Sequence, residues 1–313
     1  MADDIDKTAK FDNSLKFWKH LAKLNLLGVT VSPEFGGYGG GYVDHCLVVE
    51  AIARTSLFVA LGYASHANSL ANVISKFGTS YQRKKYLARL CSADVVGVVE
   101  MGKGFKGTVA NSVTVSASAE TGGRYSLTGS IESFLVAGPP VDCRLVFAKA
   151  SWRSVLACLI DESPTPRGYS CAYQEQTRGY LLDFKECRLP SEWLLAEGDA
   201  ASRAFMTQLY LEGLSSLALQ VGSMQRVVEL ATSLLGQSGT AADSQQELLE
   251  KLQSAAGECR QGLYSAARHM DAADTVDLEQ VKRWSKMTAM LLGRARDAAI
   301  QAAKAMHEKT DSS

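Results

Sequence analysis

A glycine-rich stretch at residues 101–108, MGKGFKGT, contains the spacing G-x-G-x-x-G at Gly102, Gly104 and Gly107. In dinucleotide-binding proteins this spacing lies between a strand and a helix, whose N-terminal amides bind the pyrophosphate. An apolar run at 95–99 predicts the strand. Residues 109–119, however, alternate apolar and small polar side chains, which predicts a second strand and no helix. We therefore interpret the stretch as a glycine-rich turn, whose lysines could attract an anion.

Composition indicates a globular protein with two or three subdomains. The chain has 313 residues, 46% of them apolar, and a formal net charge of zero. Because there is no block of basic residues, we expect no sequence-specific binding of nucleic acid. No apolar run of about 18 residues occurs, so we expect no membrane span. The acidic start, MADDIDKTAKF, resembles neither a signal peptide nor a transit peptide.

Cysteine and histidine usage gives no sign of a metal site. The seven cysteines are scattered, and none has C-x-x-C spacing. They predict buried free thiols in a reducing compartment. The five histidines do not cluster either, so we expect no bound metal.

The periodicity divides the chain into three parts and predicts an α+β fold. Residues 1–93 are expected to form an N-terminal helical domain, with a capping box of Thr79 and Gln82 before a helix at 80–91. Residues 94–200 contain short β-prone runs separated by turn residues, which predict a middle antiparallel β-domain. Residues 201–313 return to helical periodicity and predict a C-terminal bundle. Its expected helices cover 202–235, 244–270 and 277–307.

Several segments resemble one family in this same order. The glycine-rich connector SPEFGGYGGGY at 32–42, LGYASHANSL at 61–70 and YQRKKYLARL at 81–90 resemble the acyl-CoA dehydrogenase family, in particular its isovaleryl branch. LLDFKECRLP at 181–190 resembles the last strand of its β-domain, and LYLEGLSSLALQVGSMQRVVEL at 209–230 the first long helix of its C-terminal bundle. The resemblance covers roughly residues 4–306 and is strongest before residue 93.

The resemblance implies a chemistry and a setting. Members of the family use FAD and a fatty acyl-CoA, usually as tetramers in mitochondria. A glutamate removes the α-proton of the substrate while the flavin takes the β-hydride. Glu212 matches this base, although its aspartate and arginine companions in the family are replaced here by Tyr210 and Gly213.

The positions that contact flavin in the family have changed in this chain. In the flavin loop Met101 is kept, while Gly102, Lys103 and Gly104 stand for serine, glutamate and proline. Phe134 keeps the aromatic character of the strand that stacks on the flavin, but it is also a candidate for the β-domain core. Four further changes also affect expected flavin contacts. They are Val136 in place of a threonine, a shortened turn after Arg178 and Gly179, and the absence of the family's arginine–phenylalanine hairpin and closing loop.

These departures favour a pseudoenzyme: a degenerate, C-terminally truncated relative without FAD, in which Glu212 is a vestigial base. Such a chain would serve as a structural or assembly subunit beside other proteins of a mitochondrial complex. The loss of interface segments argues against the family homotetramer. Two alternatives stay open: an active FAD-dependent acyl-CoA dehydrogenase, favoured by Glu212, and a non-redox binder of acyl-CoA or phosphopantetheine, with Thr108 and Ser112 as polar contacts.

Overall fold

Helices form both ends of the described chain and strands form its middle, so the α+β fold class predicted from the sequence is confirmed. The computed structural model describes residues 12–101, 109–122, 124–133, 140–176, 179–237 and 243–273, together with five single positions between 283 and 297. By their contacts the residues form two compact units. The first contains the described residues of Asp3–Gly41 and Gly62–Glu212, and the second those of Tyr42–Leu61 and Gly213–Ser313. The three-domain division of the sequence stays a prediction.

The helices largely follow the periodicity of the sequence. A π-helical segment, Ala64–Leu70, joins α3 to α4. The described helices are α1 Asp12–Lys23, α2 Tyr42–Ala53, α3 Leu57–Tyr63, α4 Ala71–Phe77, α5 Ser80–Cys91, α6 Val109–Ser112, α7 Gly198–Gln237 and α8 Asp243–Ala272.

The capping box predicted before α5 is confirmed. Thr79 Oγ1 accepts a hydrogen bond from the Gln82 amide at 3.2 Å, and Gln82 Oε1 accepts one from the Thr79 amide at 2.9 Å. These bonds satisfy two amides that a helix N-terminus otherwise leaves unpaired. The Gln82 side-chain amide also donates to the carbonyls of Glu192 and Leu194, at 2.9 and 3.0 Å. One glutamine therefore both starts the helix and attaches it to the β-domain.

The strands form one sheet in the order β6-β7-β3-β2-β4-β5-β8, with β1 paired to β4. The prediction of an antiparallel sheet is wrong in part, because β1 and β2 both run parallel to β4. Alternation of side chains reports which residues share a face, but it does not report strand direction. The strands are β1 Gly97–Glu100, β2 Val115–Glu120, β3 Arg124–Ser133, β4 Cys143–Lys149, β5 Val155–Asp161, β6 Tyr169–Gln174, β7 Gly179–Leu189 and β8 Leu194–Glu197.

The central strands of the sheet are apolar on both faces. Leu145 and Phe147 of β4 point into one core cluster, while Val146 and Ala148 point into a second cluster on the other face. The first cluster receives Phe205 of α7, whose ring centroid lies 5.0 Å from that of Phe147 in an edge-on arrangement. Aromatic pairs favour this geometry. The first half of α7 is thereby fixed against the sheet.

In the second unit a buried carboxylate joins three helices. Glu50 of α2 accepts hydrogen bonds from Gln225 Nε2 of α7 at 2.7 Å, and from Arg260 Nε and the Tyr264 hydroxyl of α8 at 2.8 and 2.5 Å. A buried charge requires this degree of pairing. The network therefore holds α2, α7 and α8 in register.

All seven cysteines are free, and six of them are buried, as the scattered spacing predicts.

Candidate functional site

The glycine-rich stretch lies in the sequence between β1 and β2, and both of these strands pair with β4. Glu100 at the end of β1 is opposite Val146 of β4, and Val115 at the start of β2 is opposite Ala148. The end of β1 and the start of β2 therefore pair with positions of β4 that are two residues apart. The last part of the segment 101–114 is fixed by the Thr114 hydroxyl, which donates to the Ser130 carbonyl of β3 at 2.7 Å.

Several positions that match the family's flavin contacts fall outside the described residues. These include Gly102, Lys103, Gly104, Phe134, Val136 and Arg178. Met101 is described: it is half-buried, and it packs against the core cluster that contains Phe205.

The expectation that a strand follows the glycine-rich stretch directly is wrong. Residues Val109–Ser112 form the short helix α6, and β2 begins only at Val115. Val109 and Val113 are four residues apart, a spacing that suits one helical turn as well as alternate strand positions. Both side chains pack against the core cluster. A single turn suffices to bury them, so the alternation in the sequence does not distinguish the two structures.

A buried ionic network fixes the end of β1, where the segment begins. The Arg144 guanidinium pairs with Glu100, and its Nε donates to Glu162 Oε1 at 2.5 Å. The Tyr169 hydroxyl donates to the same oxygen at 2.6 Å. Burial is the largest single influence and would lower the pKa of Arg144. The charge of Glu100, the hydrogen bond to Glu162 and the other neighbouring groups together outweigh it and raise the pKa, so the guanidinium stays charged. Removing one partner would leave an unpaired buried charge.

The π-helical segment holds the other edge of β1. Buried His66 accepts a hydrogen bond from the Gly97 amide on Nδ1 at 3.1 Å and donates from Nε2 to the Leu90 carbonyl at 3.0 Å. Burial lowers the pKa of His66 to about 4, so the ring is neutral at physiological pH. Ser65 Oγ accepts from the Val99 amide at 3.3 Å. Strand β1 is thus fixed along its whole length up to the glycine-rich stretch.

Helix α7 carries Glu212 on the face that packs against the sheet. Ala201, Phe205, Gln208 and Glu212 recur at intervals of three and four residues and share one side of the helix. The first two lie in the core cluster, and Met206 packs against it as Met101 does. Glu212 follows Met206 by six residues, or about 9 Å of helix.

The environment of Glu212 suits a general base. Its side chain is exposed, yet burial by surrounding protein atoms raises the pKa of its carboxyl above the ordinary value. Solvent can therefore reach a carboxylate that has lost part of its hydration. This loss disfavours the charged form and makes the group a stronger proton acceptor.

Three buried polar side chains have atoms without a hydrogen-bond partner among the residues described. The Ser133 hydroxyl, at the end of β3 and just before Phe134 in the sequence, bonds to none of those residues. Within the same part of the chain, neither amide atom of Asn68 in the π-helical segment has a partner, and neither does Gln208 Oε1. Unpaired buried polar groups are rare in folded proteins, and they often mark a site that a water or a ligand completes. The position of Ser133 fits a polar ligand such as flavin beside the strand that the resemblance assigns to it.

Sequence reasoning missed all three of these residues. The available signal was a polar residue on an otherwise apolar helical face, as at Gln208 after Ala201 and Phe205.

Other kinds of site find no support in the described part of the chain. Among those residues, no three histidine, cysteine, aspartate or glutamate side chains gather where they could hold a metal. None of the helices described is long and apolar enough to cross a membrane.

The sequence is similar to known enzymes. Residues 1–94 match the family described as acyl-CoA dehydrogenase, N-terminal domain. The mitochondrial isovaleryl-CoA dehydrogenase of Solanum tuberosum is 31% identical over 295 residues, which cover 87% of this chain and 69% of the relative. That of Pongo abelii is 29% identical over 287 residues, covering 86% and 67%. The chain thus spans about two thirds of the length of these relatives.

Solved structures share the fold at lower identity. Butyryl-CoA dehydrogenase from Megasphaera elsdenii superposes with a TM-score of 0.77 at 21% identity, covering 96% of this chain and 85% of that one. The complex of glutaryl-coenzyme A dehydrogenase with glutaryl-CoA gives a TM-score of 0.81 at 18% identity, covering 96% and 80%. PigA with FAD and proline gives 0.78 at 19%, with the same coverage.

The prediction that this chain carries no cofactor is wrong. Similar proteins include acyl-CoA dehydrogenases, and FAD complexes occur among the structural neighbours, so the comparisons point to FAD. FAD loss was inferred from altered side chains and missing segments at the positions of the family's flavin contacts, but backbone groups can bind a ligand whatever the side chains are. The similarity to the Solanum tuberosum enzyme extends over most of both chains, and the protein therefore belongs to the acyl-CoA dehydrogenase family.

Proposed function

We propose that this protein is an FAD-dependent acyl-CoA dehydrogenase in which Glu212 is the catalytic base. The observation that carries the proposal is the carboxyl of Glu212, which solvent can reach and whose pKa burial raises. A carboxylate on the surface of a helix, away from other protein atoms, would show no such shift.

The chemistry assigned to the chain is proton abstraction. Glu212 would take the proton from the carbon next to the thioester carbonyl of an acyl-CoA. Its partial desolvation raises its proton affinity, which lowers the barrier to that transfer. When bound, FAD supplies the acceptor for the hydride that leaves the β-carbon.

The segments assigned to hold FAD follow β1 and β3 in the sequence. They are the stretch 101–108 and residues 134–136, together with Ser133, whose hydroxyl has no partner among the residues described. The fixed end of β1 supports this arrangement, because the Arg144 network and His66 hold the strand from which the first of these segments departs.

The relatives suggest the first substrate and location to test. Several similar proteins are mitochondrial isovaleryl-CoA dehydrogenases, so we place the protein in mitochondria and take isovaleryl-CoA as the first thioester to assay.

The test compares Glu212→Gln with the wild-type protein in acyl-CoA-dependent reduction of bound flavin, followed by absorbance without oxygen. We expect the rate to fall by about 10²- to 10⁴-fold, the usual contribution of a general base. Glu247→Gln on α8 is the matched control, because this exposed glutamate pairs with Lys251 on its own helix. A flavin-loaded wild-type protein that no acyl-CoA reduces would contradict the proposal.

A second candidate follows from the sequence itself: a pseudoenzyme that serves as a structural or assembly subunit of a larger mitochondrial complex. It is favoured by Gly102, Lys103, Gly104 and Val136, which stand where the family has serine, glutamate, proline and threonine. It requires Glu212→Gln and the wild-type protein to behave alike in every turnover assay. It also requires the native chain to migrate with other proteins when mitochondrial extracts are separated by size.

A further inference from the structure

Gln208 lies one helical turn before Glu212, on the same face of α7. Its side chain is only 3% exposed, and its Oε1 accepts no hydrogen bond from any residue that the structure describes. Toward the start of the helix, this face carries Ala201 and Phe205 of the core cluster. A polar amide thus separates an apolar core from the carboxylate assigned as the base.

A buried carbonyl oxygen without a donor destabilises the fold, so a donor is expected at some stage of the working cycle. An acyl thioester has no N–H or O–H group at its α- and β-carbons. Proton abstraction, however, creates a new donor one turn away, since a carboxylic acid carries an O–H that a carboxylate lacks.

We propose that Gln208 is a positioning residue whose Oε1 accepts a hydrogen bond from Glu212 once Glu212 is protonated. The inference rests on the function proposed above. In that step the substrate's α-C–H bond breaks and an O–H bond forms on Glu212. The electron pair of that C–H bond becomes part of the new Cα=Cβ bond, and FAD, when bound, would supply the acceptor for the β-hydride. Gln208 stabilises and orients the acid form of the base that this step produces.

The proposal predicts the direction in which Gln208 shifts the pKa of Glu212. An acceptor for the acid O–H favours the neutral form of Glu212 and therefore helps keep the pKa of that carboxyl high. Burial is the cause of the raised pKa in the isolated chain, and no charged group among the described residues, on α7 or on any element packed against it, contributes. A side-chain N–H of Gln208 donating to the carboxylate would have the opposite effect and would lower the pKa.

The test measures the pKa of Glu212 in the full-length chain by carbon NMR of labelled glutamate carboxyls, with Glu212→Gln identifying the signal. In Gln208→Met, which keeps the size but loses the acceptor, we expect the pKa to fall by about one unit. Methionine is less polar than glutamine, so desolvation alone would move the pKa upward. A fall can therefore be assigned to the lost hydrogen bond. If this variant does not fold, Gln208→Asn replaces it in the same measurement with the same expected fall, since its shorter amide no longer reaches the carboxyl.

Gln225→Met is the matched control: Gln225 is another glutamine of α7 with an unpaired buried Oε1, but it lies far along the helix and binds Glu50. It should leave the pKa of Glu212 unchanged. A pKa that stays or rises in the Gln208 variant, or that falls equally in Gln225→Met, overturns the inference.

A second experiment tests the proposed function separately from the role of Gln208: it measures the exchange of the substrate α-proton with deuterated water. If Glu212→Gln still exchanges the proton, the proposed base is wrong, and the inference built on it is overturned as well.

Discussion

At the residue scale, Glu212 combines two properties that conflict with stability. It is a carboxylate at a position where protein atoms displace water, and none of the residues described offers it a charged partner. Groups kept in such environments are often functional, because a site selected for stability alone would neutralise or pair them. The conflict can be measured through the dependence of stability on pH.

We predict that Glu212→Gln stabilises the protein at neutral and alkaline pH. The pKa of Glu212 is raised in the folded state, so the stability it contributes is present at low pH and is lost as pH rises above 4.5, its ordinary value. The neutral glutamine does not titrate, so the stability gap between variant and wild type should open as pH increases. Thermal unfolding of both proteins between pH 4 and pH 8 checks this. A gap that is constant or that narrows with rising pH would show that the carboxyl is not desolvated.

The candidate site was only partly predictable at this scale. Resemblance identifies Glu212 and Met101, because both lie in segments that keep the family's pattern. Gln208 has no such pattern, and its significance depends on a burial and a missing partner that only folded coordinates show.

At the element scale, close contacts between helices limit which residues fit. In the second unit, a Cβ added at Gly222 of α7 would lie 2.4 Å from the Glu50 carbonyl oxygen and 2.7 Å from Ala53 Cβ of α2. Glycine is therefore required there by the approach of two backbones. Gly257 in α8 has no atom within 4 Å of such a Cβ.

The two glycines should respond oppositely to alanine. Gly222→Ala would force α7 away from α2 and should destabilise the protein by about 1–3 kcal/mol. Gly257→Ala should stabilise it by up to about 1 kcal/mol, since alanine is the better helix former where space is free. Urea unfolding followed by circular dichroism measures both. Destabilisation of similar size in the two variants would refute the role assigned to the helix contact.

Elements that depend on interactions between neighbouring residues could be predicted from the sequence. The capping box before α5 depends on Thr79 and Gln82 alone, and it forms as predicted. Helix α6 and strand β8 are only four residues each, shorter than the window over which periodicity can be recognised. Strand β6 was also missed, because its residues are mostly exposed and its pattern does not alternate clearly.

At the scale of the whole molecule, the main correction concerns the cofactor. Membership of the family favours FAD, whereas altered side chains in the flavin loop had suggested its loss. A ligand that binds only the folded state stabilises that state by an amount that grows with its excess over the dissociation constant.

Added FAD should raise the midpoint of thermal unfolding, by an amount that grows with FAD concentration. At a hundredfold excess over the dissociation constant the stabilisation is about 2.7 kcal/mol. FMN, which lacks the adenosine half, is the comparison ligand and should have a smaller effect. A midpoint that neither flavin moves, in protein stripped of its own flavin, would contradict FAD binding.

The sequence by itself determined the fold class, most helices, the free cysteines and the family. These depend on apolar periodicity, on local capping and on segments that retain a recognisable pattern. Tertiary structure alone decided that β1 and β2 run parallel to β4, that Arg144 is buried between two carboxylates, and that Gln208 Oε1 has no partner among the residues described. Each of these depends on contacts between residues that are distant in sequence. A local sequence pattern cannot predict such contacts, because strand direction, charge pairing and the hydrogen bonding of buried polar groups are properties of the packed chain.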